Sequence, residues 1–334
     1  MKRAGEAIVV NCSQSDVENI MKKQGQYRSR VMRRICAVTV AVAAGLAMTL
    51  PAQAAMKGSV PEYPVGMTMG TPTGSLPPPG WYVLFKPNYS IGRSVNGNGD
   101  ETGASTTVWA ANAQIMWVPG FKILGGTYAA FIRNIGAVDL TLRTPTGVYL
   151  HNSAKPDTEI VPLNLSWGLS QHLFFDAELG FYLNDGSYHN LPGAINIGQN
   201  ESTIEPNFSL SYVSDNWILS GHLLFDVNQR NDNAGFVDGE RVSYRNGTTA
   251  ILDYTLFHRT GSWNYGVVGY GLSQITSDSG PIQLNGGKPK QFAAGLGASH
   301  RFGGVNMIAT YTQDTYARNV GKKHMFLLVF SAKI

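Results

Sequence analysis

The feature that most constrains this chain is a two-residue alternation of apolar and polar side chains, sustained over ten or more residues and repeated along the sequence. In HLFFDAELGFYLN (172–184) one face carries Leu173, Phe175, Ala177, Leu179, Phe181 and Leu183. The other carries His172, Phe174, Asp176, Glu178, Gly180, Tyr182 and Asn184. Residues 217–228 set Trp217, Leu219, Gly221, Leu223, Phe225 and Val227 against Ser220, His222, Asp226 and Asn228. Residues 160–169 set Val161, Leu163, Leu165, Trp167 and Leu169 against Asn164, Ser166 and Gly168. Residues 81–92 set Trp81, Val83, Phe85, Tyr89 and Ile91 against Lys86, Asn88 and Ser90. Successive strand residues point to opposite faces, so each segment reads as a strand with one apolar side. Strands of soluble sandwiches run to about five or six residues. Longer strands, apolar on one face and polar on the other, fit a transmembrane barrel, where ~9–11 residues cross the bilayer.

The pattern predicts an all-β, antiparallel, outer-membrane barrel over 81–334, with strands at 81–92, 105–118, 121–133, 158–169, 172–184, 203–213, 217–229, 242–258, 262–276, 289–302, 304–318 and 323–334. Short connectors fall at Pro119-Gly120, Ser170-Gln171, Ser214-Asp215-Asn216, Thr260-Gly261 and Gly303-Gly304. Long polar ones fall at 93–104, 135–157, 185–202, 229–242 and 277–289. Long and short alternate as extracellular loops and periplasmic turns do; the short last connector, Asn319-Val320-Gly321, is the exception. An even strand number returns both ends to the periplasm. At the carboxyl end Phe326, Leu328, Phe330, Ala332 and Ile334 alternate outward. This is similar to the terminal strand by which barrels are handed to the insertion machinery, with Ile334 where an aromatic residue is commoner. The expected surroundings are outer-membrane lipid and lipopolysaccharide.

Composition agrees. Only 14% of the residues are charged, against roughly 25% in soluble domains, while 10% are aromatic. Disorder needs the reverse. The formal charge of +4 is a property of the leader: eight of 26 basic and three of 22 acidic residues lie in 1–54, leaving −1 over 55–334. No nucleic-acid footprint remains. Arg33-Arg34, the uncharged run 35–50 and Ala52-Gln53-Ala54 make the three parts of a secretory signal peptide, with cleavage before Ala55. Met32 begins a complete signal by itself, which marks residues 1–31 as an over-extended start. Cys12 and Cys36 both fall in the leader, so the exported chain has no thiol or disulfide chemistry.

Segment 55–80 holds six of the 16 prolines, Pro61, Pro64, Pro72, Pro77, Pro78 and Pro79, and cannot be helix or central strand. It is either a periplasmic linker or a plug in the lumen. His151-Asn152-Ser153 has a His-x-Ser spacing that a barrel lipid hydrolase uses, but it lies in an expected loop. Asn96-Gly97-Asn98-Gly99-Asp100 opens like a calcium loop, yet Glu101 stands where the motif needs Gly and Thr107 where it needs Glu. The sequence offers no P-loop, nucleophile elbow or zinc motif, and we expect no cofactor or metal. The candidates for a functional lining are the inward polar residues Lys86, Asp176, Glu178, His222, Asp226, Asp253, Arg259, Arg301 and Asp314. A charge facing lipid at mid-bilayer costs ~2–4 kcal/mol for Arg or Lys, so alternation sends these groups inward. They serve either as a structural ion-pair network or as a permeation lining. The six tryptophans, Trp81, Trp109, Trp117, Trp167, Trp217 and Trp263, mostly fall near strand ends, as an interfacial girdle requires.

The stretches EYPVGMTMGTPTGSLPPPGWY (62–82), FKILGGTY (121–128), IVPLNLSWGLS (160–170), YRNG (244–247) and GYGLSQITSDSG (269–280) resemble the outer-membrane protein family named for the meta-pathway of phenol degradation. The resemblance runs in order over nearly all of 60–334. It implies an outer-membrane channel that passes small hydrophobic, aromatic compounds beside their catabolism, and it implies no catalytic residues. The alternatives are a sealed structural barrel and a barrel lipid hydrolase.

Overall fold

The computed structural model describes residues 61–190, 195–237, 240–280 and 287–334; the expected leader and the start of the proline-rich segment lie outside them. Twelve strands close into an antiparallel barrel. They are β1 Gly80–Val95, β2 Glu101–Val118, β3 Gly126–Arg143, β4 Glu159–Gly168, β5 Leu173–Tyr182, β6 Thr203–Val213, β7 Trp217–Asn228, β8 Thr249–Thr260, β9 Trp263–Gln274, β10 Lys290–Phe302, β11 Val305–Arg318 and β12 Gly321–Lys333. Each pairs with its chain neighbours, and β1 pairs with β12, from Tyr82 opposite Lys333 to Ser94 opposite Gly321. Closure leaves no unpaired edge, the condition for a β-structure to stand in hydrocarbon.

The outer wall is apolar. Leu210, Leu256, Leu296, Tyr311 and Phe326 are among the large side chains exposed on it. Tryptophans gather at the short-turn rim, where Trp81 stacks on Trp117 at 5.6 Å and Trp167 on Phe175 at 5.9 Å. Trp109 sits higher, against Tyr89.

Four expectations about the strands are corrected. The third strand is not 121–133 but β3, which begins after the tight turn at Leu124 and Gly125, both of positive φ, and runs on to Arg143. Opposite Gln114 of β2 it sets two residues, Arg133 and Asn134, against one; Asn134 takes φ +59, and the alternation breaks at this bulge. Residues 135–157 are consequently no loop: Tyr149–Ala154 folds back antiparallel on the upper part of β3. The eighth strand starts at Thr249 rather than 242, because Glu240–Tyr244 pairs instead with Asn231–Val237 in a hairpin beyond the barrel. Residues 93–104 shrink to a turn of five between β1 and β2.

A second bulge reshapes the lumen wall. In β4 the register to both neighbours slips around Pro162. Proline has no N–H to give the ladder and is tolerated where the ladder is already interrupted. The extra residue turns Val161 into the lumen, fully buried, although the alternation put it on the lipid face. It turns Glu159 inward as well.

Candidate functional site in the barrel lumen

Residues 61–79 run down the inside of the barrel, from the long-loop end to the start of β1. Their prolines forbid a strand ladder; some of their N–H groups close turns within the segment, as Met69 N to Gly66 O, and others bond to side chains of the wall. Tyr63 N donates to Asp226 Oδ2 at 3.2 Å, and Gly66 N to Asp253 Oδ1 at 2.9 Å. Lower down, Gly70 N donates to Thr255 Oγ1 and Gly74 N to Ser211 Oγ, both at 2.8 Å. Asp253 is the main anchor: its Oδ2 also accepts from Tyr63 Oη at 2.7 Å, Thr68 Oγ1 at 2.8 Å and Thr68 N at 3.1 Å. Gly70 shows why no side chain is tolerated at that depth. Its φ is +82, and a Cβ would lie 2.5 Å from Ile308 Cγ2.

The apolar side chains of the segment's first half, 63–69, face one half of the wall. Tyr63, Val65, Met67 and Met69 pack into a buried cluster with Phe257, Tyr270, Ile308 and Leu327. The other part of the lumen, between the segment and β1–β7, keeps a cavity of about 120 Å³. Its lower wall is apolar: Tyr82 pairs across strands with Met116, Met116 with Phe131, and Leu84 and Leu76 complete the patch. Its upper wall is polar. Leu84 stands opposite Gln114 and Lys86 opposite Asn112.

Beyond them lies a tight ion-pair network. Arg133 Nη1 is 3.0 Å from Glu159 Oε1, and its Nη2 is 2.8 Å from Glu178 Oε2. Nη1 also donates to Glu178 Oε1 at 2.8 Å, which makes the Glu178 contact a two-pronged clamp. Asn164 Nδ2 bridges Asp176 and Glu178 at 2.9 and 3.0 Å. The Arg133 guanidinium rests 4.6 Å above the Phe131 ring, where the apolar and polar walls meet. One oxygen from each of Glu159, Glu178 and Glu205 falls within 4.8 Å of the others. Arg133 already compensates two of the three, which makes this group a charge network.

Of the nine inward candidates, Lys86, Asp176, Glu178 and His222 line the cavity. Asp226 and Asp253 hold the segment, and Asp314 is buried higher on β11, accepting from Tyr270 Oη and Gln291 Nε2. Arg259 and Arg301 have inward parity but sit at the short-turn rim, bonded to the backbone carbonyls of Ser214 and Gly303. Alternation alone reaches Asn112, Gln114 and Glu205, which share inward faces with residues named above. Arg133 and Glu159 escape it because each lies beside a bulge.

The two weaker motifs resolve differently. His151-Asn152-Ser153 is on a strand and not in a loop, and His151 Nε2 contacts Asp139 Oδ2 at 2.8 Å. Among the described residues Ser153 makes no hydrogen bond to His151, so no activated nucleophile is assembled. Asn96 Oδ1 accepts from Asn98 N and Asp100 N while its Nδ2 donates to Asp100 Oδ2, and this closes the turn on itself. At the long-loop rim Glu201 is almost fully buried. Burial pushes its carboxyl up to about 7, although Asn246 Nδ2 donates to it at 2.6 Å.

Residues 86–328, from Lys86 to the last strand, match the model of the family described as "Putative MetA-pathway of phenol degradation". The chain belongs to this family. The match begins within β1 and ends within β12, and so reaches all twelve strands. Among solved structures the chain is similar to the COG4313 outer membrane channel from Pseudomonas putida F1, at 11% identity and a TM-score of 0.65, covering 78% of this chain and 97% of that one. It is also similar to the translocator domain of the autotransporter NalP from Neisseria meningitidis, at 13% identity and a TM-score of 0.44, over 78% and 91% of the two chains. The toluene transporter TodX of Pseudomonas putida matches at 9% identity and a TM-score of 0.43, over 84% and 96%. The last two likenesses bear no weight for function. No curated protein sequence matches. A closed twelve-stranded barrel with an apolar outer wall, in this family, is a protein of the bacterial outer membrane.

Proposed function

We propose that this family member is an outer-membrane channel for small hydrophobic, aromatic compounds, working by passive diffusion down a gradient kept steep by catabolism inside the cell. The observation that carries the reading is the cavity beside segment 61–79, apolar below and polar above. Its volume of about 120 Å³ is comparable with the roughly 150 Å³ cavity that takes up benzene in a designed protein core. The segment acts as a plug. It denies water and ions a straight path while leaving a pocket into which an apolar ring can partition. The wall beside the pocket is where the ladder is interrupted, at Arg133–Asn134 and at Pro162. A solute leaving sideways at that point meets lipid rather than a water-filled pore. No chemical step is required of any residue.

The lipopolysaccharide leaflet is the barrier that makes such a channel useful, so the test belongs in cells. Uptake of labelled aromatic compounds at low concentration is compared in cells lacking the protein and in complemented cells. Slower uptake, restored by complementation, supports the channel. Unchanged uptake, with the protein present in the outer membrane, sinks it in favour of a sealed structural barrel. Phospholipid hydrolysis by the purified protein would instead make it a barrel enzyme. Removal of residues 56–78 tests the plug separately: conductance rises if the segment closes the lumen and stays the same if it does not.

A further inference from the structure

The polar wall of the cavity contains three neighbouring side chains that the protein itself does not use. Lys86 on β1 stands directly opposite Asn112 on β2, and Gln114 follows two residues along the same inward face. All three line the cavity. Among the described residues none of the three makes a side-chain hydrogen bond or ion pair, and the carbonyl oxygen of the buried Asn112 is without any partner. Across the cavity other polar side chains are partnered: Asn164 donates to Asp176 and Glu178, Arg133 pairs with Glu159 and Glu178, and His222 bonds to Thr68, although among the described residues Asn164 Oδ1 and Asp176 Oδ2 are also without a partner. Buried polar groups in folded proteins are almost always satisfied. Three adjacent ones left open, on the wall of a pocket, face whatever enters it.

Their chemistry defines the visitor. The Lys86 ammonium supplies only donors, while each carboxamide supplies both donors and an acceptor. One oxygen that accepts from Lys86 and donates to Asn112 satisfies both, and a hydroxyl group does this while a hydrocarbon does not. Immediately below lie Leu84, Met116 and Phe131, an apolar floor for the body of the molecule. A carboxylate would also suit Lys86, but the lumen's buried carboxylates, Glu159, Asp176, Glu178, Glu205, Asp226 and Asp253, outnumber Lys86 and Arg133. That field disfavours an anion.

We propose that Lys86, Asn112 and Gln114 form a docking site for the hydroxyl of a neutral hydroxylated arene, and that this site makes the channel favour such compounds over aromatic hydrocarbons of equal size. The inference rests on the channel reading above. A site built to bond a hydroxyl rejects the analogue lacking it, because its own polar groups are then left unpaired.

The test measures uptake of labelled phenol and labelled toluene, each at low concentration. The strains are cells lacking the protein and cells complemented with the wild type, Lys86→Met, Asn112→Leu, Gln114→Leu or Lys86→Arg, with outer-membrane levels and heat-modifiability of each variant checked. Lys86→Met and Asn112→Leu are expected to lower phenol uptake roughly tenfold relative to toluene, the cost of one charge-assisted hydrogen bond. Lys86→Arg, which keeps a cationic donor, should retain most of the preference. If Lys86→Met does not reach the membrane, the two amide variants carry the same reading. An unchanged phenol-to-toluene ratio in the variants, while loss of the protein slows both solutes, overturns the docking site and leaves the channel standing. If loss of the protein slows neither solute, the channel reading fails and takes the docking site with it.

Discussion

The hydroxyl of Tyr63 donates to Oδ2 of Asp253 at 2.7 Å, joining two residues 190 positions apart. The same carboxylate accepts from Gly66 N and from both the N–H and the hydroxyl of Thr68. An isosteric amide cannot replace it, since an NH₂ group would then face donors. Asp253→Asn is expected to loosen segment 61–79, each charge-assisted bond being worth about 1.5–3 kcal/mol. Single-channel conductance should rise severalfold and the segment should become open to protease. A variant with wild-type conductance would show that apolar packing alone holds the segment.

Among the described residues Arg133 is the one guanidinium against Glu159 and Glu178. Its replacement by Met leaves two buried carboxylates, and Glu205 close by, without compensation. Breaking a buried pair by removing one partner costs about 3–5 kcal/mol. Arg133→Met should therefore lower the temperature at which the barrel loses its compact migration on gels. Adding Glu178→Gln should restore part of the loss. If the double variant is worse than the single one, the network is not what stabilises this wall.

Pro162 is the extra residue of β4: Val161 stands opposite Phe131 and Leu163 opposite Leu179, with regular pairing on either side. Deletion of Pro162 leaves a ladder of simple alternation in which Glu159 still faces the lumen opposite Arg133 and Ile160 still faces lipid. We expect the deletion variant to assemble, read as folded protein in outer-membrane fractions close to the wild-type level, and Pro162→Ala to do the same. Loss of folded protein in the deletion variant alone would show that the bulge itself is needed.

The long-loop rim should respond to pH through Glu201, whose carboxyl is held at about 7 by burial. A carboxyl raised in the folded state binds its proton more tightly there than in the unfolded chain, whose value is 4.5. Its neutral form therefore supports the fold at low pH, and that support is lost as pH rises through about 7. The swing is of order 3 kcal/mol. Heat-modifiability midpoints measured from pH 5 to pH 8.5 should fall in the wild type and fall much less in Glu201→Gln. Equal slopes would dismiss Glu201 as the titrating group.

The barrel was legible in the sequence because lipid on one side and a polar lumen on the other impose a period of two on every strand. Asp176, Glu178, His222, Asp226, Asp253 and Asp314 follow from that period alone. What resisted reading is local and has two causes. At Asn134 and Pro162 a single extra residue reverses the parity of everything beyond it, which hid Arg133 and Glu159 and mis-assigned Val161. Above the membrane the period of two no longer reports lipid, so the hairpin at Tyr149–Ala154 carried no distinguishing signal. Segment 61–79 posed a different difficulty. Its prolines say what it cannot be, but its acceptors, Asp226, Asp253, Thr255 and Ser211, are spread over β6, β7 and β8, and no local pattern connects it to them.

The attachment of segment 61–79 to β1 also bears on how the molecule is assembled. β1 is one side of the seam that closes the barrel, and β12 is the other. A chain threaded through a finished ring would have to drag six prolines and a row of bonded N–H groups past a packed wall. Because the segment is continuous with the seam strand, it can be laid inside the curling sheet before the two ends meet. On the plug reading proposed above, ring closure and filling of the lumen would then be a single event.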